Sequence, residues 1–138
     1  MVNNFGFSKR SEVNLVNVHP ALVRVARRAI QLTSVDFTVI EGLRSVIRQR
    51  ELVSQGSSQT LNSRHLTGHA IDCVPIINGV IPWNDKSTFK AVSDAMFQAA
   101  KELGVKIRWG GDWNENGRSD DERFYDGPHF ELRRQEYP

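Results

Sequence analysis

The chain has 138 residues, 39% apolar and 25% charged, with a formal net charge of +2, the balance of a globular chain long enough to bury a core. So weak a basic bias, with Lys and Arg scattered and no basic run or RNP-type module, gives no sign of a nucleic-acid binder. One cysteine, Cys73, excludes an internal disulfide and a four-cysteine zinc site, and no segment reaches the roughly 20 apolar residues that span a bilayer.

The N-terminal stretch MVNNFGFSKRSEV lacks the apolar core of a signal peptide, so synthesis in a cytoplasm without export is expected. A first helix is predicted to begin near Pro20, a residue suited to a first turn, and to run to about Leu32. Leu22, Val25, Ala26 and Ala29 recur at helical spacing and turn inward. Asp36–Glu41 reads as a strand ended by Gly42, and Ser45 caps a short helix that finishes at Gly56. Residues 56–64 are polar and turn-rich, the composition of a surface loop. Ala70–Pro75 reads as a strand, with Asn78-Gly79 as a hairpin turn into Val80–Trp83. The strongest helix runs from about Ser87 to Leu103 and stops at Gly104; Val105–Trp109 is a strand, and His129–Arg133 a last short one. Helices and hairpin-connected strands without βαβ alternation predict one α+β domain over residues 1–138. It consists of a small antiparallel sheet packed with two or three helices.

Zinc takes His nitrogen and carboxylate oxygen, and a catalytic site leaves one of four positions for water. The segment Ser63-Arg-His65-Leu-Thr-Gly68-His69-Ala-Ile-Asp72 offers such ligands close together, with Asp72 on a strand face shared with Ala70 and Val74. A carboxylate among small and apolar neighbours needs a partner, which a metal supplies. In Tyr125-Asp126-Gly-Pro-His129-Phe-Glu131, His129 and Glu131 share one strand face and Phe130 turns to the other. His129 is the third candidate ligand. Asp126, on its Gly-Pro turn, is placed to take a proton from water activated by the metal. His69, four residues after His65, is a rival ligand, but Thr67-Gly68 is poor helix material and no Glu follows His65 as an H-E-x-x-H site requires. His19 carries only the low odds of any single histidine.

The paired signature Ser63-x-His65-x-x-Gly68-x-Ala70-x-Asp72 and Asp126-x-x-His129 resembles that of the zinc D-alanyl-D-alanine peptidase family. That family, which shares a hedgehog-like fold, includes vancomycin-resistance dipeptidases, carboxypeptidases and the L-alanyl-D-glutamate endopeptidases of phage lysins. Similarity to the lysins extends to Glu41-Gly-Leu-Arg44-Ser45, the Asn78-Gly hairpin and Asp112-Trp-Asn. The resemblance implies zinc on His65, Asp72 and His129, with Asp126 as the acidic catalytic residue. It implies that Arg44 steadies negative charge on the scissile carbonyl, against the alternative that Arg44 merely pairs with a carboxylate of the fold. Ser63 contacts substrate or holds its loop.

Asp112-Trp-Asn114-Glu-Asn116-Gly117-Arg118-Ser-Asp120-Asp121-Glu122 opens as an EF-hand loop does, with oxygen side chains at positions 1, 3 and 5 and Gly at 6. Position 12 is Arg123 where that pattern has Glu, so Asp121 or Glu122 must close a calcium site; a solvated acidic loop is the alternative. The expectation for the whole chain is a monomeric zinc endopeptidase acting on bacterial peptidoglycan as a phage lysin, delivered by a holin, with Ca2+ as a candidate regulator. Two alternatives remain: a D-alanyl-D-alanine carboxypeptidase or dipeptidase with the same site, and a non-catalytic metal-binding wall module.

Overall fold

The computed structural model describes residues 3–58 and 60–138; Gln59, in the 56–64 loop, lies outside the described residues, as do Met1 and Val2 of the N-terminal stretch. The elements in chain order are α1 Lys9–Asn14, α2 Pro20–Leu32, β1 Asp36–Glu41, α3 Val46–Ser54, a 3-10 turn Arg64–Thr67, β2 Ala70–Ile76, α4 Lys86–Leu103, β3 Ile107–Trp109 and β4 His129–Leu132. Local chemistry explains most boundaries. Ser45 caps α3 by accepting from Arg48 N, and Asp85 caps α4, whose end at Gly104 takes the left-handed conformation. His19 caps α2 through Nδ1, which accepts from Ala21 N at 3.0 Å, a structural use that leaves it outside any ligand set.

The four strands form one antiparallel sheet in the order β1-β2-β4-β3. One face carries Val39, Ile71, Cys73, Phe130 and Leu132, buried against the apolar stripes of α2 and α4. The alternation that sends these residues inward sends Asp72, His129, Glu131 and Arg108 to the opposite face. There the register pairs Asp72 with His129 and Arg108 with Glu131. A bulge between Val39 and Glu41 shifts the edge strand so that Glu41 lies opposite Asp72. Polar residues from all four strands thus gather on one face.

Two elements differ from the sequence reading. Helix α1, six residues from Ser8's cap, has little apolar periodicity of its own; it is anchored by buried Ser11, which accepts a hydrogen bond from Val39 N. It brings the α-helices among the described residues to four. The Asn78-Gly79 turn does form, but only the bridge Ile77–Val80 follows it, because Pro82 has no N–H to continue a ladder.

Gly68 ends the 3-10 turn that carries His65. Its φ of +73° is left-handed, and a Cβ there would meet Asn17 O at 2.6 Å. Gly68→Ala is predicted to cost about 1–3 kcal/mol, read as a shifted urea midpoint; a change within about 0.5 kcal/mol, the range of ordinary surface substitutions, would show that the turn relaxes freely.

Candidate metal centre

Three side chains from three elements meet on the polar sheet face. His65 comes from the 3-10 turn, Asp72 from β2 and His129 from β4, and their ligand atoms all lie within 4.8 Å of one another. His65 Nε2 is 3.2 Å and His129 Nδ1 3.5 Å from the same oxygen of Asp72. The two rings stand 5.0 Å apart, nearly perpendicular.

The far nitrogen of each ring explains this orientation. His65 Nδ1 donates to Gly42 O at 2.8 Å, and His129 Nε2 donates to Glu131 Oε1 at 2.8 Å. Each bond keeps a proton on the far nitrogen, so the nitrogen facing Asp72 is the one that a metal would take, the arrangement that outer partners give to metal-bound imidazoles. Glu131 is in turn held by Arg108 at 3.0 Å. His65 and His129 are almost wholly buried, and two imidazoles with one carboxylate form the donor set of a three-ligand zinc site.

Without metal, charge concentrates here. Burial disfavours the Asp72 carboxylate, but His65 and His129 hold it well below the usual range. Burial likewise disfavours a charged His129, yet Asp72 and Glu131 push it up to about 9. Asp126 is raised to about 6, first by burial and then by the charge of Asp72. Its position depends on Gly110, whose O accepts from Asp126 N at 2.8 Å while Gly110 N donates to His129 O at 2.8 Å. A Cβ on Gly110 would lie 2.3 Å from Asp126 O and 3.0 Å from His129 Cβ. That close approach sets Asp126 beside His129.

Arg44 lies at the other side of Asp72. It pairs with Glu41, donates to Gln49 Oε1 at 2.6 Å, and reaches Asp72 Oδ2 at 3.4 Å. It lines a cleft of about 470 Å³ together with the triad, Asp126 and Ser63. Ser63 caps the 3-10 turn by accepting from His65 N. His69 turns away: Nδ1 meets Thr67 Oγ1 at 2.7 Å, and its ring lies near His19. Sequence reasoning missed Glu131, Gln49 and Gly110 as supporting residues. Glu131 carried a signal, since it shares the strand face of His129; Gln49 and Gly110 carried none.

The 112–122 loop folds around its own polar groups. Asp112 accepts from Asn116 N and Gly117 N, Asn114 Oδ1 from Asn116 N, and Glu122 from Asn114 N. Asn116 bonds Asp121, whereas the Arg118 side chain leaves the group to pair with Asp120. Trp113 connects this loop to the triad, its ring 5.1 Å from that of His129.

Residues 3–133 match the family described as phage L-alanyl-D-glutamate peptidase. The chain is 47% identical over 135 residues to the L-alanyl-D-glutamate peptidase of Escherichia phage T5, covering 94% of this chain and 98% of that one. It is 28% identical over 130 residues to the enzyme of the same name from Listeria phage A118, covering 91% of this chain but 42% of that longer one. The crystal structure of Serratia marcescens L-Ala D-Glu endopeptidase ChiX superposes with a TM-score of 0.85 at 46% identity, covering 98% of this chain and 96% of that one.

A proton and a metal ion compete for the nitrogen of His129 that faces Asp72. In the metal-free chain that proton is held until pH rises through about 9. Zinc affinity is therefore predicted to rise about tenfold per pH unit up to that region and then level off. Glu131→Gln is predicted to weaken binding about 10–100-fold. Competition titration with a chromophoric chelator reads both; a pH-independent affinity would contradict the assignment.

Proposed function

Because the chain belongs to the phage L-alanyl-D-glutamate peptidase family, we propose that it is a zinc-dependent endopeptidase that cuts the L-alanyl-D-glutamate bond of the peptidoglycan stem. The convergence of His65, Asp72 and His129 carries this reading, with both imidazoles locked by outer acceptors. Two nitrogens and one carboxylate fit zinc and fall short of the oxygen shell that calcium needs. When bound, zinc supplies a Lewis acid that polarises a carbonyl and lowers the pKa of water to about 7.

The chain's own residues perform the rest. Asp126 takes the proton of the attacking water and passes it to the amine of the departing D-glutamate. A carboxyl raised to about 6 suits both halves of that transfer near neutral pH. Arg44, fixed by Glu41 and Gln49, steadies the negative charge that develops on the scissile carbonyl oxygen. Its contact with a carboxylate of the fold is what orients it for that task. Water is consumed, leaving an alanyl carboxylate and a free D-glutamyl amine. Ser63 contributes through the turn that places His65.

A single chain provides every metal ligand, so we read residues 1–138 as one catalytic domain working as a monomer. No helix among the described residues is long and apolar enough to cross a membrane. We place the protein as a phage lysin made in the host cytoplasm that reaches the wall after a holin opens the membrane. We also propose the 112–122 loop as a Ca2+ site, with Asp112, Asn114, Asn116, Asp121 and Glu122 as side-chain ligands and Arg118 contributing its carbonyl. The loop's own bonds support this reading, with the Asn116 side chain donating to Asp121 while Asp112 and Glu122 accept from the backbone of Asn116 and Asn114, and Trp113 would transmit ordering of the loop to His129.

Digestion of purified peptidoglycan is predicted to expose new D-glutamyl amines, to stop with a chelator and to resume with zinc. Free alanine from the stem terminus would favour the carboxypeptidase alternative. Asp126→Ala is predicted to lower kcat about 10²–10⁴-fold with zinc still bound; undiminished lysis would favour a binding module. Calorimetry is predicted to show calcium binding in the parent and none in Asp112→Ala. A parent that gives no heat removes the calcium site.

A further inference from the structure

The cleft is not electrically uniform. At the end next to β3 and β4 it is lined by three guanidiniums, Arg64, Arg108 and Arg134, against the single carboxylate of Glu131. Glu131 is itself shared between Arg108 and His129. Arg134 is exposed and makes no ion pair among the described residues; its one hydrogen bond goes to Asn62 O at 3.1 Å. Arg64 is 7% exposed, and its guanidinium donates only to the backbone oxygens of Leu132 and Tyr137. Its Nε is buried without a hydrogen-bond partner among the described residues.

A buried cation without a counter-charge is costly. Arg108 is preorganised, its guanidinium 5.0 Å over the Trp113 ring while one nitrogen is tied to Glu131. Arg108 and Arg134 also line an adjoining hollow of about 200 Å³, where the Glu115 carboxylate is paired with Arg133. An anion entering here would neutralise what the fold leaves unbalanced.

The chemistry of the proposed substrate supplies such an anion. A glutamyl residue whose amine is bonded to alanine has two carboxyl groups, of which the continuing peptide uses one. The other stays free, on the leaving side of the scissile bond. Arg44 lies on the Asp72 side of the triad, whereas Arg108 reaches the site through Glu131 and His129. The two arginine regions therefore flank the His65–Asp72–His129 triad from opposite sides. Resting on the peptidase reading above, we propose that Arg108 and Arg134, backed by the buried charge of Arg64, bind the free carboxylate of the D-glutamyl residue. The enzyme then discriminates against stems in which that carboxylate is amidated.

The experiment compares two N-acetylated, C-terminally amidated peptides on the zinc-loaded protein: L-alanyl-γ-D-glutamyl-L-lysine and its analogue with the glutamyl carboxylate converted to amide. These differ in their only carboxylate. The parent is expected to favour the free acid about tenfold in kcat/KM, mostly through KM. Arg134→Gln is expected to erase the preference with little change in kcat, and Arg134→Lys to restore part of it. Equal cleavage of both peptides by the parent, or equal losses on both in Arg134→Gln, overturns the proposal. If the parent cleaves neither peptide nor whole peptidoglycan, the peptidase reading fails. The subsite is then judged by NMR titration with γ-D-glutamyl-L-lysine amide and its amidated analogue. Shifts at Arg108 and Arg134 with the free acid alone support it, and identical responses or none refute it.

Discussion

The carboxylate of Asp72, held between the imidazoles of His65 and His129, is the constraint around which the rest of the molecule is arranged. Two nearly buried histidines and an acid on one sheet face cost desolvation energy that apolar residues would not. The fold offsets this with directed bonds: Gly42 O and Glu131 hold the far nitrogens, and Arg108 holds Glu131. Such an arrangement is costly as a stability device. It makes sense as a preformed site for a cation, in which the ligands bear the reorganisation cost before the ion arrives.

The sheet makes this convergence possible. Its antiparallel register sets Asp72 directly across from His129, and the bulge after Val39 moves Glu41 into the same row, where it orients Arg44. Alternation keeps Ile71, Cys73, Phe130 and Leu132 in the core beneath α2 and α4. Because the same strands serve both faces, a one-residue slip would bury the acids and expose the core. Core packing and site geometry are thus specified by one register.

Features with a local chemical cause were legible in the sequence. Pro20 opened α2 and Gly104 closed α4, and period-two alternation assigned Asp72 and His129 to a face away from the apolar core. The convergence of His65, Asp72 and His129 was legible mainly through the paired motif, because spacing alone left His69 a rival, and its ring bonds Thr67 instead. What escaped depends on distant partners. Helix α1 is fixed by Ser11 against β1, Gln49 matters only because α3 brings it to Arg44, and Gly110 matters because Asp126 and His129 close around it. The second hairpin strand expected after Asn78-Gly79 does not form for a local reason, the missing N–H of Pro82.

One divalent ion at the junction of the 3-10 turn, β2 and β4 would complete the site. Anomalous diffraction at the zinc edge from crystals of the zinc-loaded protein is expected to give one strong peak there. It should lie about 2.0–2.2 Å from His65 Nε2, His129 Nδ1 and an oxygen of Asp72, with the remaining position open to the cleft. Stoichiometric zinc bound elsewhere, or ordered and active protein with no peak at this junction, would contradict it.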